Sequence, residues 1–120
     1  MITGLGIDLI EKERINNAMK KSDRFCKRIL SDRENVIFQS ITSWQRKVEY
    51  LAGRFAAKEA YAKASGTGIG KEMAFKDIEV LPDSKGKPEL YFKGEKNPKS
   101  LVSISHGREI IIAEVIIQEG

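Results

Sequence analysis

Glu59 lies on a stretch whose apolar side chains recur at the helical period, in a position where a charge is unexpected. With Val48 as origin and about 100° per residue, Leu51 falls near about −60°, Phe55 near about −20° and Ala62 near about −40°, while Glu59 falls near about +20°. The carboxylate is therefore expected in the middle of the apolar stripe. A charge turned inward is costly unless it is paired, protonated or bound to a metal. Asp8 is the natural partner, because it shares a strand face with Gly4 and Gly6, and that bare face lets backbone or a phosphate come close. Two hard oxygen ligands suit Mg²⁺, which takes one or two carboxylates and completes its shell with water and substrate oxygens, so a phosphoryl or pyrophosphate substrate is expected. Lys63, one turn after Glu59, can pair with it or reach the same phosphates, and Lys58 and Arg54 add positive charge nearby. In the competing reading, Asp8 and Glu59 are ordinary ion-pair partners of these cations.

Other candidates are weaker taken singly. Gly66-Thr67-Gly68-Ile69-Gly70 can turn backbone N–H groups toward a phosphate, yet it follows a helix C-terminus, the wrong dipole end for an anion, and reads equally as a helix stop. His106 closes a strand on the face of Val102 and Ile104, where a turn or core role competes with a functional one. Ser103 and Ser105 lie on the opposite face, and with one histidine in the chain there is no case for a serine nucleophile. One cysteine, Cys26, excludes an internal disulfide, and zinc clusters are not expected either. The net charge of +4 is concentrated: residues 14 to 28 hold six cations against Asp23 alone. That local patch suits an anionic partner. A nucleic-acid partner is not expected, because only Phe25 could stack among the basic residues.

The elements that must position these groups can be read from period and punctuation. Residues 2 to 10 alternate as a strand, with Leu5, Ile7 and Leu9 on one face and Gly4, Gly6, Asp8 and Ile10 on the other. A helical pattern runs from Glu11 to Leu30, with Ser22-Asp23 able to end one helix and cap a second. Its apolar sector holds Ile15, Met19, Cys26, Ile29 and Leu30, and a separate sector holds Arg14, Lys21, Arg24 and Arg28. Ser31 and Glu34 form a capping box for a helix to about Ser40, and Thr42 with Gln45 suggests another for a long helix ending at Gly66. Then come a strand from Phe75 to Leu81, a turn through Pro82 to Pro88, a strand with Leu90 and Phe92, and a final pair, Leu101–Ser105 and Ile110–Gln118. The last strand is apolar on both faces and should be covered on both, by helices or by another subunit. The 120 residues fit one domain, 1–120, with no run long enough to span a bilayer; a cytoplasmic protein without membrane attachment is expected.

In combination, the segments GIDLIEKERI (6–15), EYLAGRFAAKEAYAK (49–63), GTGIG (66–70), FKDIEV (75–80), GKP (86–88) and VSISH (102–106) resemble the bacterial holo-acyl-carrier-protein synthases, in order and spacing, over nearly the whole chain. The resemblance implies the 4'-phosphopantetheinyl transferase fold: α+β, an antiparallel sheet packed against a long helix, and a homotrimer with active sites between subunits. It implies transfer of 4'-phosphopantetheine from coenzyme A to a serine of an apo acyl carrier protein, a step of fatty acid biosynthesis, with release of 3',5'-ADP. Asp8 and Glu59 would hold Mg²⁺ against the coenzyme A pyrophosphate, with Lys63 beside it. Arg54, Lys58, Gly66, Thr67, Gly68, Gly86, Pro88 and His106 match segments that contact coenzyme A. Arg14, Lys21, Arg24, Phe25 and Arg28 match the surface that docks the carrier. Departures from the family pattern are modest: Ser65 before the glycine loop, Lys12 at a position commonly apolar, and Asp23 inside the docking helix.

Overall fold

A computed structural model describes residues 1–119, so Gly120, the last residue of the expected domain, lies outside the described residues. The chain opens with β1 (Ile2–Glu11) and continues through α1 (Lys12–Lys21), α2 (Arg24–Ile29), α3 (Asp32–Ser40) and α4 (Trp44–Ser65). A single 3₁₀ turn (Phe75–Asp77) leads into β2 (Ile78–Pro82), β3 (Pro88–Phe92), β4 (Glu95–Lys96), β5 (Ser100–His106) and β6 (Ile110–Gln118). The architecture is α+β, as expected, but the strands form two antiparallel sheets and not one, in the orders β1-β6-β5 and β2-β3-β4. Residues 100–106 and 110–118 form the pair expected at 101–105 and 110–118, and β1 pairs along the free side of β6 with Asp8 opposite Ala113.

The helical stretch from Glu11 to Leu30 breaks where Ser22-Asp23 indicated. Ser22 is extended, and its hydroxyl, rather than the Asp23 carboxylate, accepts a hydrogen bond from the amide of Arg24 at 3.2 Å. Asp23 instead pairs with Lys27 at 3.0 Å, which holds its carboxyl below the usual range. The Ser31–Glu34 capping box is present in full. For α4 the expected cap is one residue early: Ser43, not Thr42, accepts from the Arg46 amide at 3.3 Å. Gly66 ends the helix in the left-handed conformation, φ +80°, as a C-terminal glycine should.

α4 is the centre of the molecule. It lies against the inner face of β1-β6-β5 and also touches β2 and the three other helices, so it is buried around most of its circumference. This corrects the single-stripe picture: Leu51, Ala56, Ala57, Lys58, Ala60 and Ala62 are all fully buried, while Glu59 faces a gap in the covering and is only half-buried. The last strand, β6, is covered by α4 on one face. Its other face is open within the chain, beside the outward side chains of Leu5, Ile7 and Leu9, which are 55–65% exposed. No helix among the described residues is long and apolar enough to cross a membrane.

Gly4 and Gly6 are bare for a reason other than phosphate access. A Cβ on Gly6 would collide with the carbonyl of Ala60, and one on Gly4 with the carbonyl of Ala64. The two glycines let the backbone of α4 lie directly on β1. Gly6→Ala is therefore expected to destabilise the fold by about 3 kcal/mol or more. Gly53→Ala, where the nearest atom would be Ile104 at 3.4 Å, should be tolerated far better. Urea unfolding of the two variants measures the difference.

Candidate active site

The close seating of α4 on β1 brings together residues that are 51 to 55 positions apart in the chain. Asp8 points from the inner face of β1 toward α4, and Lys63 donates to its Oδ1 and to the Ile7 carbonyl, each at 3.1 Å. Glu59 stands one turn before Lys63 on the same side of α4. Burial pushes its carboxyl above the ordinary range, and the negative charge of Asp8 pushes the same way, against the opposing pull of Lys63, Arg14 and Arg28. Two acids and three cations thus share one rim where β1, α1, α2 and α4 meet. No third acidic, histidine or cysteine side chain joins the two carboxylates among the described residues. Two carboxylates flanked by cations fit a hard divalent ion that takes the rest of its oxygen shell from a phosphorylated substrate.

The arginines of this rim rest on aromatic rings. Phe55 packs between Phe25 (centroids 5.8 Å apart) and Phe75 (5.4 Å). Arg14 lies over Phe55 at 5.9 Å and Arg28 over Phe75 at 5.7 Å, within cation–π range. Arg14, Lys21, Arg24 and Arg28 are all exposed on α1 and α2, and Phe25 is half-buried among them. The sequence-predicted basic face is thus one surface, and its Arg14 and Arg28 edge reaches the acids.

Other predicted residues lie apart. Arg54 and His106 share a separate cavity of about 540 Å³ with Arg46, Glu49 and Tyr50. Arg54 stacks on Tyr50 at 4.1 Å and donates to the Val80 carbonyl at 3.3 Å, and burial pushes the Tyr50 hydroxyl up to about 12. Gly86, at φ +87°, forms the tip of the β2–β3 turn, whose amides are gathered by Asp83. Pro88 lines a third, smaller cleft with Asn97 and Val102. The amides of Gly66, Thr67 and Gly68 are spent on the carbonyls of Ala62 and Lys63, so they are not free to bind phosphate in this conformation. That loop is built as a helix stop.

Lys58 requires a correction. It was expected to contact coenzyme A, but it has no exposed surface, and its ammonium donates to Glu34 Oε1 at 2.5 Å and to the Ile29 carbonyl at 2.6 Å. Burial lowers its pKa, and the charge of Glu34 opposes that shift. Removing one partner of such a buried pair typically costs about 3–5 kcal/mol. From the sequence alone, Glu34 reads only as a cap. The available signal was angular, since Lys58 falls near about −80° on the helical wheel, within about 20° of Leu51. Lys12 is likewise explained: it pairs with Glu49 at 2.7 Å, a polar contact where an apolar residue was expected.

The chain matches the model of the 4'-phosphopantetheinyl transferase superfamily over residues 4–115. It is 53% identical over 118 residues to a holo-[acyl-carrier-protein] synthase of Geobacillus sp. (strain WCH70), covering 98% of both chains. Among solved structures it resembles a holo-(acyl-carrier-protein) synthase from Bacillus anthracis in complex with CoA (3',5'-ADP), with a TM-score of 0.88 and 44% identity over 100% of this chain and 99% of that one. It also resembles the Helicobacter pylori synthase in complex with coenzyme A, with a TM-score of 0.81 and 32% identity over 95% of this chain and 99% of the other.

The raised pKa of Glu59 has a defined sign in stability. Its folded value lies above its unfolded one, so the ionised side chain opposes folding as pH rises through the folded pKa, and the penalty is absent below the unfolded value. Glu59→Gln should therefore raise the thermal midpoint of the metal-free protein at neutral pH. The gain should vanish below the ordinary glutamate pKa of about 4.3. Calorimetric scans across that range test this.

Proposed function

This chain belongs to the 4'-phosphopantetheinyl transferase superfamily, and from that premise we propose that it moves 4'-phosphopantetheine from coenzyme A to a serine of an apo acyl carrier protein, releasing 3',5'-ADP. The single observation that carries the reading is the rim where Asp8, Glu59 and Lys63 meet Arg14 and Arg28. It joins a set of groups suited to a diphosphate directly to a basic surface of the sign that an acidic carrier would need.

The roles follow from charge and position. Asp8 and Glu59 are the residues that would hold Mg²⁺, which when bound neutralises the pyrophosphate and the departing phosphate. Lys63 adds a donor held by Asp8 and by the Ile7 carbonyl, which would set its ammonium beside a diphosphate bound at the two acids. The carrier serine Oγ attacks the β-phosphorus in line as the bond to the bridging oxygen breaks, and that oxygen leaves with 3',5'-ADP. Glu59 is our choice to take the serine proton, directly or through a water. Arg14, Lys21, Arg24, Phe25 and Arg28 seat the carrier.

The remaining coenzyme A contacts fit a site shared between subunits. Arg54 and His106 occupy one cavity, Gly86 and Pro88 sit near another, and neither pair lines the acidic rim of its own chain. The open apolar face of β1 and β6 is a surface on which copies can pack, consistent with a homotrimer that brings these parts together. The transferase domain is taken to span 1–120.

Purified protein should add one phosphopantetheine mass to an apo carrier in the presence of Mg²⁺ and none in EDTA, read by intact mass spectrometry. Asp8→Asn and Glu59→Gln should each lower kcat by about 100-fold or more while the fold persists. Lys21→Ala with Arg24→Ala should raise the carrier KM about tenfold at low salt, and this gap should narrow above about 0.5 M salt. An unchanged carrier KM at low salt in steady-state assays would remove the docking role.

A further inference from the structure

Alone among the lysines of the described residues, Lys58 is fully buried, and what it holds is the far end of a short helix. Its ammonium donates to the carbonyl of Ile29, the last residue of α2, and is itself held by Glu34. The same carboxylate accepts from the amides of Ser31 at 3.0 Å and Val80 at 2.8 Å. One ion pair therefore ties together α2, the start of α3, β2 and α4. Around it, Ser31 Oγ donates to Glu79 at 2.6 Å, and Arg33 closes the network on the solvent side.

α2 has six residues and no side-chain cap at Asp23. A helix of that length is not stable in isolation and takes its position from what it packs on. A cation on the unpaired carbonyl at its C-terminus satisfies an orphan acceptor and complements the helix dipole. The choice of anchor matters because Lys58 is the immediate chain neighbour of Glu59. Adjacent Cα atoms are about 3.8 Å apart, so a displacement of α2 from Lys58 is a displacement of Arg24 and Arg28 from Glu59.

We infer that Lys58, held by Glu34, is a positioning residue that fixes the carrier-docking helix α2 in register with Glu59, and that it acts in the transfer reaction without touching either substrate. This rests on the transfer function proposed above. The carrier serine must reach the phosphorus from wherever α2 seats the carrier. A misplacement of about 1 Å remote from the chemistry can cost about 100-fold in rate.

The deciding variant is Lys58→Met combined with Glu34→Leu, which removes both charges and leaves neither one buried and unpaired. Lys58→Met alone leaves Glu34 buried and unpaired, so the double variant carries the test. Circular dichroism should show it folded. In steady-state assays its carrier KM should rise by about tenfold or its kcat fall by a like factor, while its coenzyme A KM stays within about twofold of wild type. Val115→Ala, a core truncation on β6 in the sheet that the Lys58–Glu34 network does not join, supplies a loss of stability without removing any member of that network, and its carrier KM should not move. A folded double variant with wild-type carrier KM and kcat overturns the inference, as does a parallel rise in both substrates' KM reproduced by Val115→Ala. The wild-type reaction run alongside separates the two readings: transfer there with unaltered kinetics in the variant overturns only the positioning role, whereas no transfer by wild type removes the function itself.

Discussion

The backbone of α4 lies directly on β1, and the candidate site exists because of that contact. Strand and helix can approach so closely only where both surfaces are small. Gly4 and Gly6 supply this on the strand, and Ala60 and Ala64 on the helix. Side chains of ordinary size at those four positions would lift α4 away from the sheet. The lift would be felt first at Asp8 and Lys63, whose 3.1 Å hydrogen bond spans the junction. Interiors packed to crystal-like density transmit such changes and do not absorb them, so a methyl group on the strand is felt at the chemistry.

Two adjacent residues of α4 show how one helix serves both stability and reaction. Lys58 and Glu59 are neighbours in sequence, about 100° apart around the helix, and meet opposite environments. Lys58 is inside and answered: a carboxylate and a carbonyl accept its hydrogen bonds, and that carboxylate also accepts from two amides. Glu59 is at the gap and unanswered: burial and a neighbouring acid both work against its charge, and cations stand near it without a hydrogen bond closing the account. A buried ion pair whose two charges answer each other, with backbone groups supplying further bonds to both, has little residual affinity for a ligand. An acid left short of partners keeps more, and that affinity is what a divalent ion with a diphosphate can fill. Perturbation at Glu59 and satisfaction at Lys58 are thus read differently, although both are charges on the same helix.

Most of the fold was legible because local signals agreed with the global arrangement. The alternation of residues 2–10, the Ser31–Glu34 box, the break at Ser22 and the stop at Gly66 each reflect a cause within a few residues, and each appears in the structure. The site was legible in part. Asp8 and Glu59 could be paired because an inward charge demands a partner and a glycine-flanked strand offers room. What failed was whatever depends on long-range packing. The stripe on α4 was expected to have one buried side, yet tertiary contacts cover the helix almost all round, which turns Lys58 inward and leaves Glu59 at the opening. The capping role of Glu34 was visible, whereas its bond to Lys58, 24 residues away, was not. The glycine loop was ambiguous from sequence, and only the hydrogen bonds of its amides to Ala62 and Lys63 distinguish a helix stop from a phosphate cradle.

The outer face of the first sheet follows from the same economy of size. Among the described residues α4 is the only long helix, and a single helix covers one face of β1-β6-β5. β6 runs Ile110, Ile111, Ile112, Ala113, Glu114, Val115, Ile116, Ile117, so alternate residues must face away from α4 whichever register is chosen. Leu5, Ile7 and Leu9 extend that surface on β1, and Leu101 on β5, with Glu114 set between Ile7 and Ser103 in the cross-strand register. Soluble monomers rarely leave a contiguous apolar face of this kind open, and a second copy of the same chain is the partner always present at matching concentration. Association through that face would add no new fold and would cost the site nothing, since Asp8 and Glu59 lie on the opposite side of the sheet.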